Sequence, residues 1–196
     1  MTDRTQGTAP LTPPPTKPER PKKTMAREVL EWVVTIAVAV VLALGIRTFL
    51  FEPVRVDGES MHDTLQHNEY MITTKWDYLW NNPQRFNVVT CKYPNRSETF
   101  VKRVVGLPGE TLELRAGELY IDGELVEQNF RRTPSRSNYG PVVVPEGCYF
   151  VMGDNRDHSN DSRASAVGAL PRSMIRGHVQ FVAFPLGNMR AITDKD

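Results

Sequence analysis

Residues 111–127 read Thr-Leu-Glu-Leu-Arg-Ala-Gly-Glu-Leu-Tyr-Ile-Asp-Gly-Glu-Leu-Val-Glu. The stretch divides into Thr111 to Leu114, Glu118 to Asp122 and Glu124 to Glu127, a small β-meander whose second turn falls on Asp122-Gly123. That dipeptide is a favoured hairpin turn because both central positions of a type I′ turn need positive φ, which Asp tolerates and Gly adopts freely. The same grammar extends outward. Val54 to Val56, Tyr70 to Thr74, Phe86 to Tyr93, Phe100 to Val105, Val142 to Val144, Cys148 to Met152 and His178 to Phe184 are short β-branched or aromatic runs, punctuated by Gly, Pro, Asn and Asp. Residues 129–140, rich in Arg, Ser and Asn, read as a surface loop. No long helical period and no internal repeat interrupts this pattern. The expected class is mainly β, an antiparallel sheet domain over residues 52–196.

Upstream the pattern changes. Between Glu31 and Arg47 lies an uncharged run, Trp32 to Ile46, too short as a helix to cross ~30 Å of hydrocarbon at 1.5 Å per residue. Val29 and Leu30 on one side and Phe49 to Phe51 on the other extend it, giving an expected transmembrane anchor over residues 25–51. Lys17, Arg20, Lys22, Lys23 and Arg27 precede the span and only Arg47 and Arg55 follow closely, so the positive-inside rule puts the N-terminus in the cytoplasm and the β domain outside it. Two other readings fit the same run: a cleaved signal peptide with Ala43-Leu44-Gly45 at the cut, and the buried helix of a soluble domain. Residues 1–24 hold six of the 15 prolines and no aromatic, and are expected to form a disordered, partly polyproline II tail.

Composition sets the outer limits. A chain of 196 residues with 40% hydrophobic content can build one ordinary domain. A net charge of +1 gives no reason to expect a nucleic-acid partner. Negative mean hydropathy excludes a polytopic membrane protein. Two cysteines exclude a disulfide-stapled miniprotein, and Cys91 and Cys148, in separate expected strands, are read as two free buried thiols. There is no Cys/His metal spacing, no Gly-rich phosphate loop and no HExxH string, so neither metal nor cofactor is expected.

Three clusters can carry chemistry: Asp57-Gly-Glu-Ser-Met-His-Asp-Thr-Leu65, Phe100-Val-Lys-Arg-Val-Val-Gly-Leu-Pro-Gly109 and Gly153-Asp-Asn-Arg-Asp-His-Ser-Asn-Asp-Ser-Arg163. Together they resemble the type I signal peptidases, membrane-anchored serine proteases that remove signal peptides from exported proteins, and the likeness runs from the span to about Phe184. The resemblance implies Ser60 as nucleophile, Lys102 as general base and Ser159 as the hydroxyl that orients the lysine. It gives Asp161 and Arg163 a scaffold role near that lysine and places Gly58 beside the oxyanion site, where some members carry a serine. It further implies substrates with small residues at the first and third positions before the cut, bound as extended strands, in a single-pass protein of the cell membrane. The chain departs from the family where Ser-Met-x-Pro-Thr-Leu becomes Ser60-Met-His-Asp-Thr-Leu65, and again in the strand Arg85 to Cys91.

Lysine serves as a base only when neutral, so its pKa near 10.4 must fall by several units, which burial achieves by disfavouring the ammonium. In a strand Phe100, Lys102 and Val104 share one face and Val101, Arg103 and Val105 the other; the residues alone do not say which of Lys102 and Arg103 points inward, and the resemblance selects Lys102. His158, beside Asp157 and Asp161, is the rival base of a Ser-His-Asp arrangement. Lys75-Trp-Asp-Tyr-Leu-Trp80 suits a membrane interface or a core equally well. A bitopic peptide-binding or scaffold protein without catalysis, and a Ser/Lys autoprotease, remain alternatives; the first turns on whether Ser60 and Lys102 lie within hydrogen-bond reach.

Overall fold

A computed structural model describes residues 24–49, 51–130 and 132–193; the Pro-rich tail lies outside them, apart from Thr24. The first element, α1 (Met25–Phe49), has 25 residues, about 37 Å at 1.5 Å per residue. Within it Met25–Ile46 is a 22-residue apolar span. Every large apolar side chain from Val29 to Ile46 is half or more exposed, so this helix buries no face against protein. An all-round apolar helix of that length fits a lipid-covered segment. Thr35 Oγ1 donates to the Glu31 carbonyl at 2.7 Å, which satisfies its hydroxyl inside the apolar run.

The β domain begins at β1 (Phe51–Arg55) and continues through β2 (Tyr70–Thr74), a four-residue helix α2 (Asp77–Trp80), β3 (Val88–Lys92), β4 (Thr99–Gly106), β5 (Thr111–Arg115), β6 (Glu118–Ile121), β7 (Glu124–Val126), β8 (Tyr139–Val143), β9 (Cys148–Met152), β10 (Leu170–Pro171), β11 (Ile175–Phe184) and β12 (Arg190–Ala191). One sheet runs β1-β2-β11-β3-β4-β9-β10 with β12 on β11; a smaller one runs β7-β6-β5-β8. Every pairing among these strands is antiparallel, and outside them Thr133 and Asn155 form an isolated parallel bridge. The meander is as expected, and its turn is set by Asp122 and Gly123, both at positive φ.

Three apolar clusters hold the domain. Val89, Cys91, Val104 and Val151 lie in one; Val56, Met61, Leu65 and Val179 in a second; Val105, Leu112, Leu119 and Phe150 in a third, where the two sheets meet. Strand β4 supplies Val104 to the first cluster and Val105 to the third, so it is covered on both faces. That is why a strand with two adjacent cations can bury both.

The structure departs from the sequence reading in a few places. Strand β3 starts at Val88, since Phe86 sits at φ 70, a left-handed conformation that ends extended structure. Strand β8 starts at Tyr139, inside the segment read as loop. The two-residue strands β10 and β12 carry no periodic signal. Trp80 is 84% and Trp76 47% exposed, so these rings do not fill the core. Cys91 is buried and Cys148 half-buried, both free, in separate apolar clusters.

Candidate active site

Strand β1 delivers the chain into a turn over residues 57–65, where His62 N–H donates to Glu59 O and Leu65 N–H to Met61 O. Met61 and Leu65 drop into the core and leave Ser60 half-exposed at the rim. From β4, Lys102 reaches the same point: its Nζ lies 2.6 Å from Ser60 Oγ and 3.0 Å from Val101 O. Lys102 is 2% exposed. Burial pushes its pKa below the ordinary lysine value, against the opposing pull of Cys91, Asp161 and Asp154. The Cys91 thiol beside it is itself pushed up to about 12 by burial. A cleft of about 180 Å³ opens over the pair, walled by Val56, Met61, Phe100 and Val101, with Asp57 and Glu98 among its polar lining.

Arg103 takes the other face of β4 and is fully buried. Its Nε and Nη2 donate to the two oxygens of Asp154 at 2.9 and 2.8 Å, its Nη1 donates to Phe86 O at 2.9 Å, and its guanidinium carbon sits 4.0 Å from the centre of the Phe130 ring. Thr64 Oγ1 donates to Asp154 at 2.7 Å. The choice between Lys102 and Arg103 as the inward cation therefore dissolves: both are buried, one against a hydroxyl and one in a bidentate ion pair.

The loop after β9 clamps the serine turn. Asn155 N–H donates to Ser60 O at 3.1 Å, and Asn155 Nδ2 to Glu59 O at 3.2 Å. Gly153 N–H donates to Asp161 Oδ2 at 3.0 Å, and Arg163 makes a bidentate pair with Asp161 at 2.8 and 2.9 Å. Burial alone would raise the Asp161 carboxyl; the Arg163 hydrogen bonds and charge, the Gly153 N–H and the neighbouring Ser159 outweigh it and hold it low. Asp161 and Arg163 are thus paired with each other within the loop. Ser159 Oγ is buried at this loop, beside Asp161, and makes no hydrogen bond of good geometry among the described residues. A Cβ on Gly153 would stand 2.3 Å from Ser159 Oγ and 2.4 Å from Ser60 O. Gly153→Ala should therefore displace the nucleophile turn and lower kcat for peptide cleavage by about 100-fold, the scale expected of small misplacements, with KM less affected; steady-state kinetics checks this.

None of the residues lining the cleft is a histidine. His158 Nδ1 lies 3.3 Å from Asn155 Oδ1 and His62 Nδ1 3.0 Å from Asp63, so neither takes the position of a base on Ser60.

The family described as signal peptidase, peptidase S26, matches residues 29–184. The chain belongs to that family. Its relatives include signal peptidase I P of Bacillus subtilis subsp. natto, 38% identical with 83% of this chain and 92% of that protein aligned, and signal peptidase I of Leptolyngbya laminosa, 34% identical over 96% of each. A crystal structure of a signal peptidase I from Enterococcus faecalis, 32% identical, covers 50% of this chain and 97% of its own with a TM-score of 0.43.

Against the signal peptidase pattern, the loss of the proline after the nucleophile has a structural reason. Asp63, which stands in its place, has φ 80, and the proline ring locks φ near −65°. Asp tolerates the left-handed region, and Asp63 accepts a hydrogen bond from Thr133 Oγ1 at 3.2 Å. Installing the usual proline, Asp63→Pro, is expected to destabilise by more than about 1 kcal/mol and to reduce turnover, read from thermal melts and cleavage rates. Gly58 has φ 102 and open space where a Cβ would go, and its N–H donates to His67 Nδ1 at 3.2 Å. Ser60 N–H has no acceptor among the described residues. Thr64, Asp154 and Asn155 carry no sequence signal beyond their places inside the Asp57 to Leu65 and Gly153 to Arg163 strings.

Proposed function

We propose that this signal peptidase works through Ser60 as nucleophile and Lys102 as general base. The observation that carries the reading is the 2.6 Å approach of a buried Lys102 Nζ to Ser60 Oγ. With the amine neutral, the Ser60 hydroxyl donates to its lone pair; as Oγ attacks the scissile carbonyl carbon, the proton passes to Nζ and then to the leaving amine, while the C–N bond breaks. Lys102 next takes a proton from water as it attacks the acyl carbon; the bond from that carbon to Ser60 Oγ then breaks, and Nζ returns the proton to Oγ, which restores the hydroxyl and the neutral amine. Ser60 N–H, free of other acceptors, suits the developing oxyanion. Asp161, Arg163 and Ser159 act through the loop that holds the Ser60 turn, and Gly58 leaves the cleft floor open.

The substrate binds as an added strand. Strand β9 pairs with β4 from Arg103 onward, so on that side Thr99–Lys102 presents unpaired backbone beside the cleft. A cleft of about 180 Å³ with apolar walls suits small side chains before the cut. Exported preproteins are delivered from the membrane, which fits a cytoplasmic tail over residues 1–24, an anchor over 25–51 and an extracytoplasmic catalytic domain over 52–196.

Two measurements test this. Purified chain should cleave a signal-peptide-bearing preprotein at its processing site while the Ser60→Ala form leaves it intact; equal cleavage by both rules out Ser60. Protease added outside sealed cells should digest the region after Phe51 and spare the tail before Met25, and protection of the β domain would reverse the topology.

A further inference from the structure

The described residues include a second concavity, about 400 Å³, lined by Glu52, Lys75, Lys92, Thr99 and Arg176. Five strands contribute to it. Glu52 belongs to β1 and Lys75 follows directly on β2; Lys92 ends β3 opposite Thr99 of β4; Arg176 stands at the start of β11, between residues paired with Cys91 and Thr90. Only Lys75 is neutralised, by Glu52 at 2.9 Å. Lys92 and Arg176 have no acidic partner among the described residues, so the cavity holds an excess of positive charge that the catalytic reading does not use.

The position of this cavity identifies its ligand. Glu52 comes three residues after Phe49, the last residue of α1. Three extended residues reach about 10 Å, while the headgroup layer outside the hydrocarbon is roughly 5–8 Å thick on each side. Directly after Lys75 in the chain, Trp76, Leu79 and Trp80 stand 47%, 70% and 84% exposed, large apolar side chains of the kind that settle at a bilayer interface. Thr99 lines both this cavity and the catalytic cleft, so a ligand here would sit at the mouth of the substrate groove.

We infer that Lys75, Lys92 and Arg176 form a binding site for the phosphate of an anionic phospholipid, which seats the exposed Trp76–Trp80 segment in the interface next to the cleft. The shared chemistry is a phosphate monoanion held by an ammonium and a guanidinium; the committed source is the lipid. The inference rests on the membrane-anchor reading above, and its test does not depend on catalysis.

The full chain carrying Trp32→Phe, so that Trp76 and Trp80 report, is placed in phosphatidylcholine nanodiscs containing an equal minor fraction of either brominated phosphatidylglycerol or brominated phosphatidylcholine. Phosphatidylglycerol should concentrate near these tryptophans by roughly fivefold for each unpaired cation and quench them correspondingly more. Lys92→Glu with Arg176→Glu should abolish the difference, as should Lys92→Gln with Arg176→Gln, while cleavage of a soluble peptide in detergent stays unchanged. Equal quenching by the two lipids, or a preference that survives in both double variants, overturns the site. Loss of the preference on adding inorganic phosphate but not on adding chloride to the same ionic strength supports the phosphate site; equal loss with either salt shows unspecific charge attraction and overturns it. So does a charge-reversed protein that keeps its lipid preference but raises KM only for preproteins with an acidic residue near the cut. A chain that cleaves no preprotein yet shows the preference overturns the catalytic reading and leaves this one standing.

Discussion

Ser60→Ala is expected to lower preprotein cleavage by about 10,000-fold or more, and Lys102→Met by ~100- to 10,000-fold, with the fold intact in both. Ser60 lies at the rim of the cleft, where loss of a hydroxyl leaves no cavity. Lys102→Met exchanges a buried amine for an apolar chain of similar length among Val89, Val104 and Phe100, and should melt no lower than the parent. The pH dependence follows from the direction of the Lys102 shift. Burial depresses its folded pKa, so at low pH it carries a proton and cannot accept one from Ser60; kcat/KM therefore rises with pH through that depressed value, below the ordinary ~10.4. Between the folded and unfolded values the unfolded chain binds the extra proton, so stability also rises with pH across that window and loses this slope in Lys102→Met. A rate profile unchanged by His158→Ala but lost with Lys102 supports the assignment; an inactive His158→Ala enzyme with a native melt would overturn it.

Asp154→Asn is expected to destabilise by about 3–5 kcal/mol, because it strands Arg103 as an uncompensated charge with no exposure to water. For a domain of this size that corresponds to a fall of roughly 6–20 °C in Tm, read by thermal unfolding in detergent. Activity should fall as well, since Asn155 N–H, one residue away, holds the Ser60 carbonyl, and Thr64 ties Asp154 to the far end of the nucleophile turn. The double variant Arg103→Met with Asp154→Leu should recover most of the stability, because removing both charges abolishes the desolvation cost along with the attraction. A single variant that melts within a degree or two of the parent would show that water reaches the pair.

Much of this protein is written locally. The alternation of β-branched runs with Gly, Pro, Asn and Asp marks β2, β6 and β9 within a residue of their ends, since strand propensity and turn chemistry act over a few neighbours. The apolar run likewise marks a helix over Met25–Ile46 long and apolar enough to cross a bilayer. The strings around Ser60, Lys102 and Gly153 carried the family.

Other features depend on partners distant in the chain, and sequence does not encode them at any single position. Whether Lys102 or Arg103 is buried has no local answer: β4 is covered on both faces by different apolar clusters, so each cation is desolvated by its own set of distant neighbours. Ser159 belongs to the right loop and lies by Asp161, yet its hydroxyl makes no hydrogen bond of good geometry, because that is decided by tenths of an ångström that motif spacing does not carry. Residues 25–49 and the strand pattern followed from local propensity and period. The approach of Ser60 to Lys102, and the burial that lowers the lysine, came only from the tertiary fold, because they depend on which surfaces 42 residues apart in sequence are brought together and closed to water.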